Sequence, residues 1–289
     1  MKSIAFAPGH ITGFFEPVYF KQDMMRTGSR GAGVNISMGA ISEVEIKNSE
    51  KQVFEINVNS KKIDFPTVKL ALKFLLGETK IHVKSNIRSD LAFGQGFGMS
   101  AASALSTTLA VSKLVDLPRD NALKASHFAE IQLKTGLGDV ISSFFGGLEI
   151  RKQAGLPPWG VIEHIPAEGE LVLCVIGKKV DTKNILNDEK LVSDISNYGK
   201  YCTKKILENP CIENFFNLSN FFTMKTNLAN KKIRGVLDIV NKIGMGSMCM
   251  LGNSIFACGD SDKVARLLSS YGKVFVCSID QSGACILKK

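Results

Sequence analysis

The stretch that most constrains the fold reads Asp90-Leu91-Ala92-Phe93-Gly94-Gln95-Gly96-Phe97-Gly98-Met99-Ser100-Ala101-Ala102-Ser103-Ala104. Three glycines at alternate positions weaken both helix and strand. The next residues, Ser100 to Leu117, are rich in small side chains and then apolar, the pattern of a helix about to be buried. A glycine loop feeding a helix N-terminus presents unpaired backbone N–H groups at the positive end of the helix dipole. That suits an anion, and phosphate is the usual occupant. The loop has neither a Gly-Lys-Ser/Thr ending nor the register of a dinucleotide fingerprint, so phosphate would be held by another geometry. Close packing of a helix on a sheet is the plainer use of the same glycines.

Around this loop the chain of 289 residues leaves room for two domains or one large one. Hydrophobic content of 45% and charged content of 22% describe an ordinary globular protein. No run of about 18 apolar residues occurs, so no membrane span is expected. Met1 to Gly9 holds too short an apolar core for a signal peptide, which makes a cytoplasmic location the expectation. Seven cysteines stand mostly alone in apolar segments, as Cys174 does within Leu171–Ile176, and there is no Cys-x-x-Cys pair. Neither zinc nor a disulfide framework is expected. The net charge of +9 raises the idea of nucleic acid, but the lysine doublets are scattered and only four tyrosines and one tryptophan accompany them. A solvated basic surface, or attraction of a small anion, explains the charge at least as well.

Residues 2–7 alternate as a first strand, and Pro8-Gly9 is expected to break it. Gly28-Ser29-Arg30-Gly31-Ala32-Gly33 reads as a second glycine loop. Short strands are expected at 44–46, 53–58 and 81–87, with a helix over 65–76 between the last two. Two helices come after the central loop, the first stopped by Pro118 and the second running from 121 to 134. Residues 135–140 form a loop, and a strand covers 148–151. Ala154-Gly155-Leu156-Pro157-Pro158-Trp159-Gly160 is the expected boundary. Beyond it come a strand at 171–176, helices over 188–208, 212–223 and 230–242, the glycine- and methionine-rich 244–252, a strand at 254–258, a helix over 261–270 and a strand at 273–278. This mixture points to an α+β second half.

Ala7-Pro8-Gly9-His10, Gly96-Phe97-Gly98-Met99-Ser100-Ala101-Ala102, and Gly136-Leu137-Gly138-Asp139 ahead of Gly146-Gly147 resemble, in this order, the motifs of the GHMP kinases. Phe6–Phe15, Gly28–Gly33, Thr135–Val140, Gly155-Leu156-Pro157-Pro158 and Met250-Leu251-Gly252-Asn253 are similar, more narrowly, to archaeal pantoate kinases. The resemblance implies a two-domain α+β fold. Residues 1–157 would be an ATP-binding domain like a ribosomal-protein domain, and residues 158–289 a ferredoxin-like domain, with the active site between them. It implies transfer of phosphate from ATP to pantoate, giving 4-phosphopantoate on the way to coenzyme A. A mevalonate- or homoserine-type kinase is the nearest alternative, and an RNA-binding module a more distant one. The implied partner is a small molecule, without nucleic acid or membrane, and a homodimer is compatible.

The same resemblance implies the site roles. Backbone from Gly94, Gln95, Gly96, Phe97, Gly98, Met99, Ser100, Ala101 and Ala102 would cradle the ATP phosphates. Ser100 and Glu130 would be the Mg2+ ligands, against the plainer readings of a helix-start serine and a solvated carboxylate. Asp139 would be catalytic and meet the substrate hydroxyl; a helix cap is the alternative. His10 stands where many relatives carry Lys or Arg. It would be catalytic beside Asp139 and contact substrate and phosphate, with a charge only when protonated, or else be a turn histidine held by backbone. Met99 replaces the first serine of the family's Gly-Leu-Gly-Ser-Ser-Ala-Ala loop. Arg30 is the first candidate to clamp a substrate carboxylate, ahead of Arg151 and Arg26, although a surface position is an arginine's commoner fate.

Overall fold

The computed structural model describes residues 1–179 and 189–288. Its first half runs β1 (Lys2–Val18), β2 (Gly28–Asn48), β3 (Val53–Val58), β4 (Lys61–Lys62), α1 (Pro66–Leu76), β5 (Ile81–Ser89), α2 (Met99–Leu114), α3 (Arg119–Leu133), α4 (Asp139–Phe145), β6 (Leu148–Gln153) and β7 (Val161–Ile165). The second half comprises β8 (Glu170–Val175), α5 (Glu189–Glu208), α6 (Ile212–Lys225), α7 (Lys231–Val240), β9 (Gly244–Met248), β10 (Ser254–Gly259), α8 (Ser261–Leu268), β11 (Lys273–Ser278) and β12 (Cys285–Lys288). The expected helix over 188–208 therefore starts at Glu189; residue 188 lies outside the described residues.

Pro8-Gly9 does not end β1. Its pairing with β2 slips between Pro8 and Gly9 and again between Thr12 and Phe14. Such bulges bend a strand while the ladder continues beyond them. Gly28–Gly33, expected as a loop, is the start of β2. Glycine serves close approach there, since a Cβ on Gly33 would overlap the His10 ring. The first part of β2 pairs with β6 and its last part with β5. The stretch from Gly244 likewise opens as a strand, β9, paired with β10.

One sheet has the order β12-β1-β2-β5-β3-β4, with β6 added beside β2 and β7 beside β6. It draws strands from both sides of residue 157, because β7 pairs with β6 and β12 with β1. The other sheet is β11-β8-β10-β9 and antiparallel throughout. Helix α2 lies against β1, β2 and α3. Every residue from Ala101 to Ser112 is buried, which its run of Ala, Ser and Thr allows because small side chains let backbones approach. Several of the hydroxyls are matched inside: Ser42 to Ser106 at 2.8 Å, and Thr108 to Ser126 at 2.8 Å. Helix α6 joins the two sheets in an apolar seam: its Phe215 meets Phe14 of β1 at 6.3 Å, and its Phe216 meets Phe256 of β10 at 5.1 Å. The cleft opens where β1 passes this seam.

Candidate active site

Backbone makes the first wall. Gly98 caps α2 with φ +62°, a conformation that favours glycine, and a Cβ there would sit 3.0–3.2 Å from His10 atoms. The ribbon is pinned on both sides. His10 N–H donates to Phe97 O at 3.0 Å, and Gln95 Nε2 donates to Gly177 O at 3.1 Å. The Ser254 hydroxyl also donates to Gln95 O. Gly94, Gly96, Phe97, Gly98, Met99, Ser100 and Ala101 line a cavity of about 120 Å³. The N–H groups of the first turn of α2, which precede its i→i−4 ladder, thus open onto it.

Side-chain charge makes a second wall, where Glu130, Thr135, Gly136, Leu137, Gly138 and Asp139 line the cavity. Asp139 is the first residue of α4, and its side chain is 27% exposed. Behind it His10 is fully buried, with Nδ1 2.7 Å from Asp139 Oδ1 and Nε2 3.2 Å from Glu149 Oε1. Glu149 also meets Arg151 Nη1 and accepts from Ser142 Oγ at 3.0 Å. Burial alone would raise the Asp139 pKa. The hydrogen bond and charge of His10, with Arg151 and Thr12, outweigh it and hold the carboxyl below its ordinary value.

Glu130 behaves oppositely. Burial, then the charge of Asp139, pushes it up to about 8, while hydrogen bonds from Thr135 and Ser100 pull the other way. Its partners are hydroxyls, Thr135 donating at 3.1 Å. Near neutral pH that carboxyl mostly keeps its proton, and a cation arriving beside it would displace the proton and take its place. Among the described residues no three or more His, Cys, Asp or Glu gather as a metal cage. Magnesium needs no such cage, since it keeps waters and takes one or two carboxylates beside phosphate oxygens. Glu130 and Ser100, which line the same cavity, fit that demand.

A sequence model of the GHMP kinase N-terminal domain matches residues 66–147. A pantoate kinase of Methanocaldococcus jannaschii is 33% identical over 280 residues, covering 95% of this chain and 99% of that protein. The chain belongs to the GHMP kinase family. Within that family it is also 32% identical to a pantoate kinase of Thermococcus kodakarensis, over 92% of this chain and 91% of that one. A solved structure described as a phosphotransferase related to the coenzyme A biosynthesis pathway superposes with a TM-score of 0.91 at 28% identity, covering 100% of this chain and 99% of the other.

Of the residues expected from sequence, this GHMP kinase brings Ser100, Glu130 and Asp139 to one cavity with most of the glycine ribbon. Gln95 and Ala102 are not on its lining: Gln95 turns to Gly177, and Ala102 is buried inside α2. His10 does not reach the cavity either, because its ring is enclosed behind Asp139. Arg30 lies elsewhere. Neighbours on a strand face opposite ways, so Ser29 takes the cavity side. Arg30 instead donates to Lys152 O at 2.9 Å and Glu16 Oε2 at 3.1 Å, beside Lys200 and Lys204. Arg26 stacks on Phe20 at 4.2 Å. Sequence reading missed Glu149, Thr12, Ser29 and Thr135. For Glu149 a signal existed: Glu149 and Arg151 share one face of a strand whose opposite face begins with the apolar Leu148 and Ile150.

Proposed function

We propose that this GHMP kinase transfers the terminal phosphoryl group of ATP to the hydroxyl of pantoate, giving 4-phosphopantoate for coenzyme A biosynthesis. The observation that carries the reading is the meeting of the Gly94–Ala101 ribbon with Asp139 across a single cavity. Full-length likeness to pantoate kinases supports the acceptor.

Phosphoryl transfer asks for positioning and charge neutralisation more than for covalent chemistry. The α2 N–H groups and the ribbon hold the phosphates. Glu130 and Ser100 would hold Mg2+, which neutralises charge on the phosphate oxygens when bound. Asp139, kept ionised by His10, accepts a hydrogen bond from the acceptor hydroxyl and aims its oxygen. With a loose transition state the proton leaves late, so orientation matters more than basicity.

The acceptor carboxylate needs a donor, and none of the described side chains lining the cavity is Lys or Arg. Arg151 supports that role. Its Nε and Nη2 have no hydrogen-bond partner among the described residues, and Nε lies behind Gly138, where a Cβ would stand 2.7 Å from it and 2.6 Å from Ser29 Oγ. Ser29, which lines the cavity, would donate to the carboxylate, and the positive charge of Arg151, buried just behind it, favours an anion at that part of the wall.

The test is turnover of ATP with pantoate, mevalonate and homoserine in parallel, read as ADP release with the product checked by mass. Pantoate should be preferred by about 100-fold in kcat/KM. Turnover of mevalonate with none of pantoate would overturn the acceptor.

A further inference from the structure

His10 makes its two side-chain hydrogen bonds to carboxylates, Asp139 on α4 and Glu149 on β6. A carboxylate anion only accepts, and a neutral imidazole has a single N–H to donate. With an acceptor at each ring nitrogen, the ring is satisfied only as the imidazolium. Burial works against that charge, but Glu149 and Asp139 together outweigh it, and the His10 pKa lies above its ordinary value. Glu149 is shared in turn, since the oxygen that faces His10 also receives Arg151 Nη1 and Ser142 Oγ. Arg151, Glu149, His10 and Asp139 thus form a row of alternating charge through β6, β1 and α4. The first three are buried, and only the last reaches the cavity.

We propose that Glu149 is a positioning residue of the phosphoryl transfer: it holds the His10 ring so that Nδ1–H fixes the Asp139 carboxylate toward the acceptor hydroxyl. Through Arg151 it ties that orientation to the seat of the acceptor carboxylate. The inference rests on the roles proposed above for Asp139 and Arg151. Removing Glu149 leaves two cations facing each other without the anion between them, so the row acts as a unit.

Two measurements on the intact protein test it. In 15N spectra of the wild type at pH 7.5, both His10 nitrogens should carry protons, the signals being assigned by their loss in His10→Gln. A His10 ring with one bare nitrogen at that pH would overturn the proposal. In turnover assays Glu149→Gln should lower kcat about 100-fold, the scale of a misplaced catalytic group, with KM for ATP changed less than about two-fold. The double variant Glu149→Gln/His10→Gln should lose little more than either single one, since both act through Asp139. A Glu149→Gln enzyme with near-normal kcat, or fully additive losses, would refute it. Should Glu149→Gln fail to fold, the wild-type spectrum and the kcat of His10→Gln decide. If wild-type protein ignores pantoate, the proposed acceptor fails, and the His10 spectrum still judges the row by itself.

Discussion

Along one wall of the cleft, from Gly94 to Ala101, backbone faces the cavity; along the other, from Glu130 to Asp139, side-chain charge does. The ribbon needs little behind it except room, which glycine provides. The charged wall depends on a second layer, His10 and Glu149, that never meets solvent. Backbone donors stay in place when neighbouring side chains change, whereas a carboxylate holds its pKa and aim only while its partners hold theirs. The two walls should therefore fail differently.

The largest effect belongs to the charged wall. Asp139→Ala should lower kcat by about 10²–10⁴-fold while ATP affinity stays nearly intact. Measured by single-turnover kinetics beside nucleotide titration, near-normal turnover would erase the distinction between the walls.

Gly98→Val probes the ribbon. A β-branched residue at φ +62° is strained, and its Cβ meets His10 backbone at 3.0 Å. If the ribbon shifts to relieve that strain, ATP affinity should weaken about ten-fold, equivalent to about 1.4 kcal/mol. Calorimetric titration checks this; unchanged affinity would mean that the ribbon does not hold nucleotide.

His127 sharpens the contrast from outside the charged row. Buried, with Nε2 donating to Met24 O and Thr27 O, it is pushed down to about 4, chiefly by burial. Its neutral form is favoured in the fold, so its contribution is complete above about pH 6.5. The unfolded chain protonates first, and stability falls as pH drops from about 6.5 toward 4, by about 3 kcal/mol in all. Urea unfolding of wild type and His127→Gln should show that slope in the first and a flatter curve in the second.

Arg30→Ala should do least, changing kcat/KM less than about two-fold, because its ion pair with Glu16 is partly exposed and lies away from the cavity. A large rise in the acceptor's KM would restore Arg30 as the carboxylate clamp and dislodge Arg151.

Legibility in the sequence divides along the same line. The glycine ribbon, Ser100 and Asp139 lie in contiguous motifs, and Glu130 in the helix just ahead of one, where local spacing and family likeness carry the meaning. His10 and Arg30 stand out in the sequence as well, but their surroundings come from residues far away along the chain. His10 contacts residues 129 and 139 positions further on. Whether Ser29 or its neighbour faces the cavity is a matter of strand register, which one step reverses. The strands through Pro8-Gly9 and Gly28–Gly33 escape a local reading for a related reason. Proline and glycine signal breaks locally, but bulged pairing between two long strands kept the ladder, and the glycines made room for the His10 ring.

By itself the sequence determined the family, the ribbon with its helix, and three of the polar residues that line the cavity, because each sits inside or close to a short motif with a fixed local geometry. Tertiary structure alone decided that His10 lies buried between two acids, that Glu149 belongs with it, and that Arg151 rather than Arg30 stands behind the wall. Those choices depend on which distant strands pair and in what register, and on burial that sets charge only once the fold encloses it.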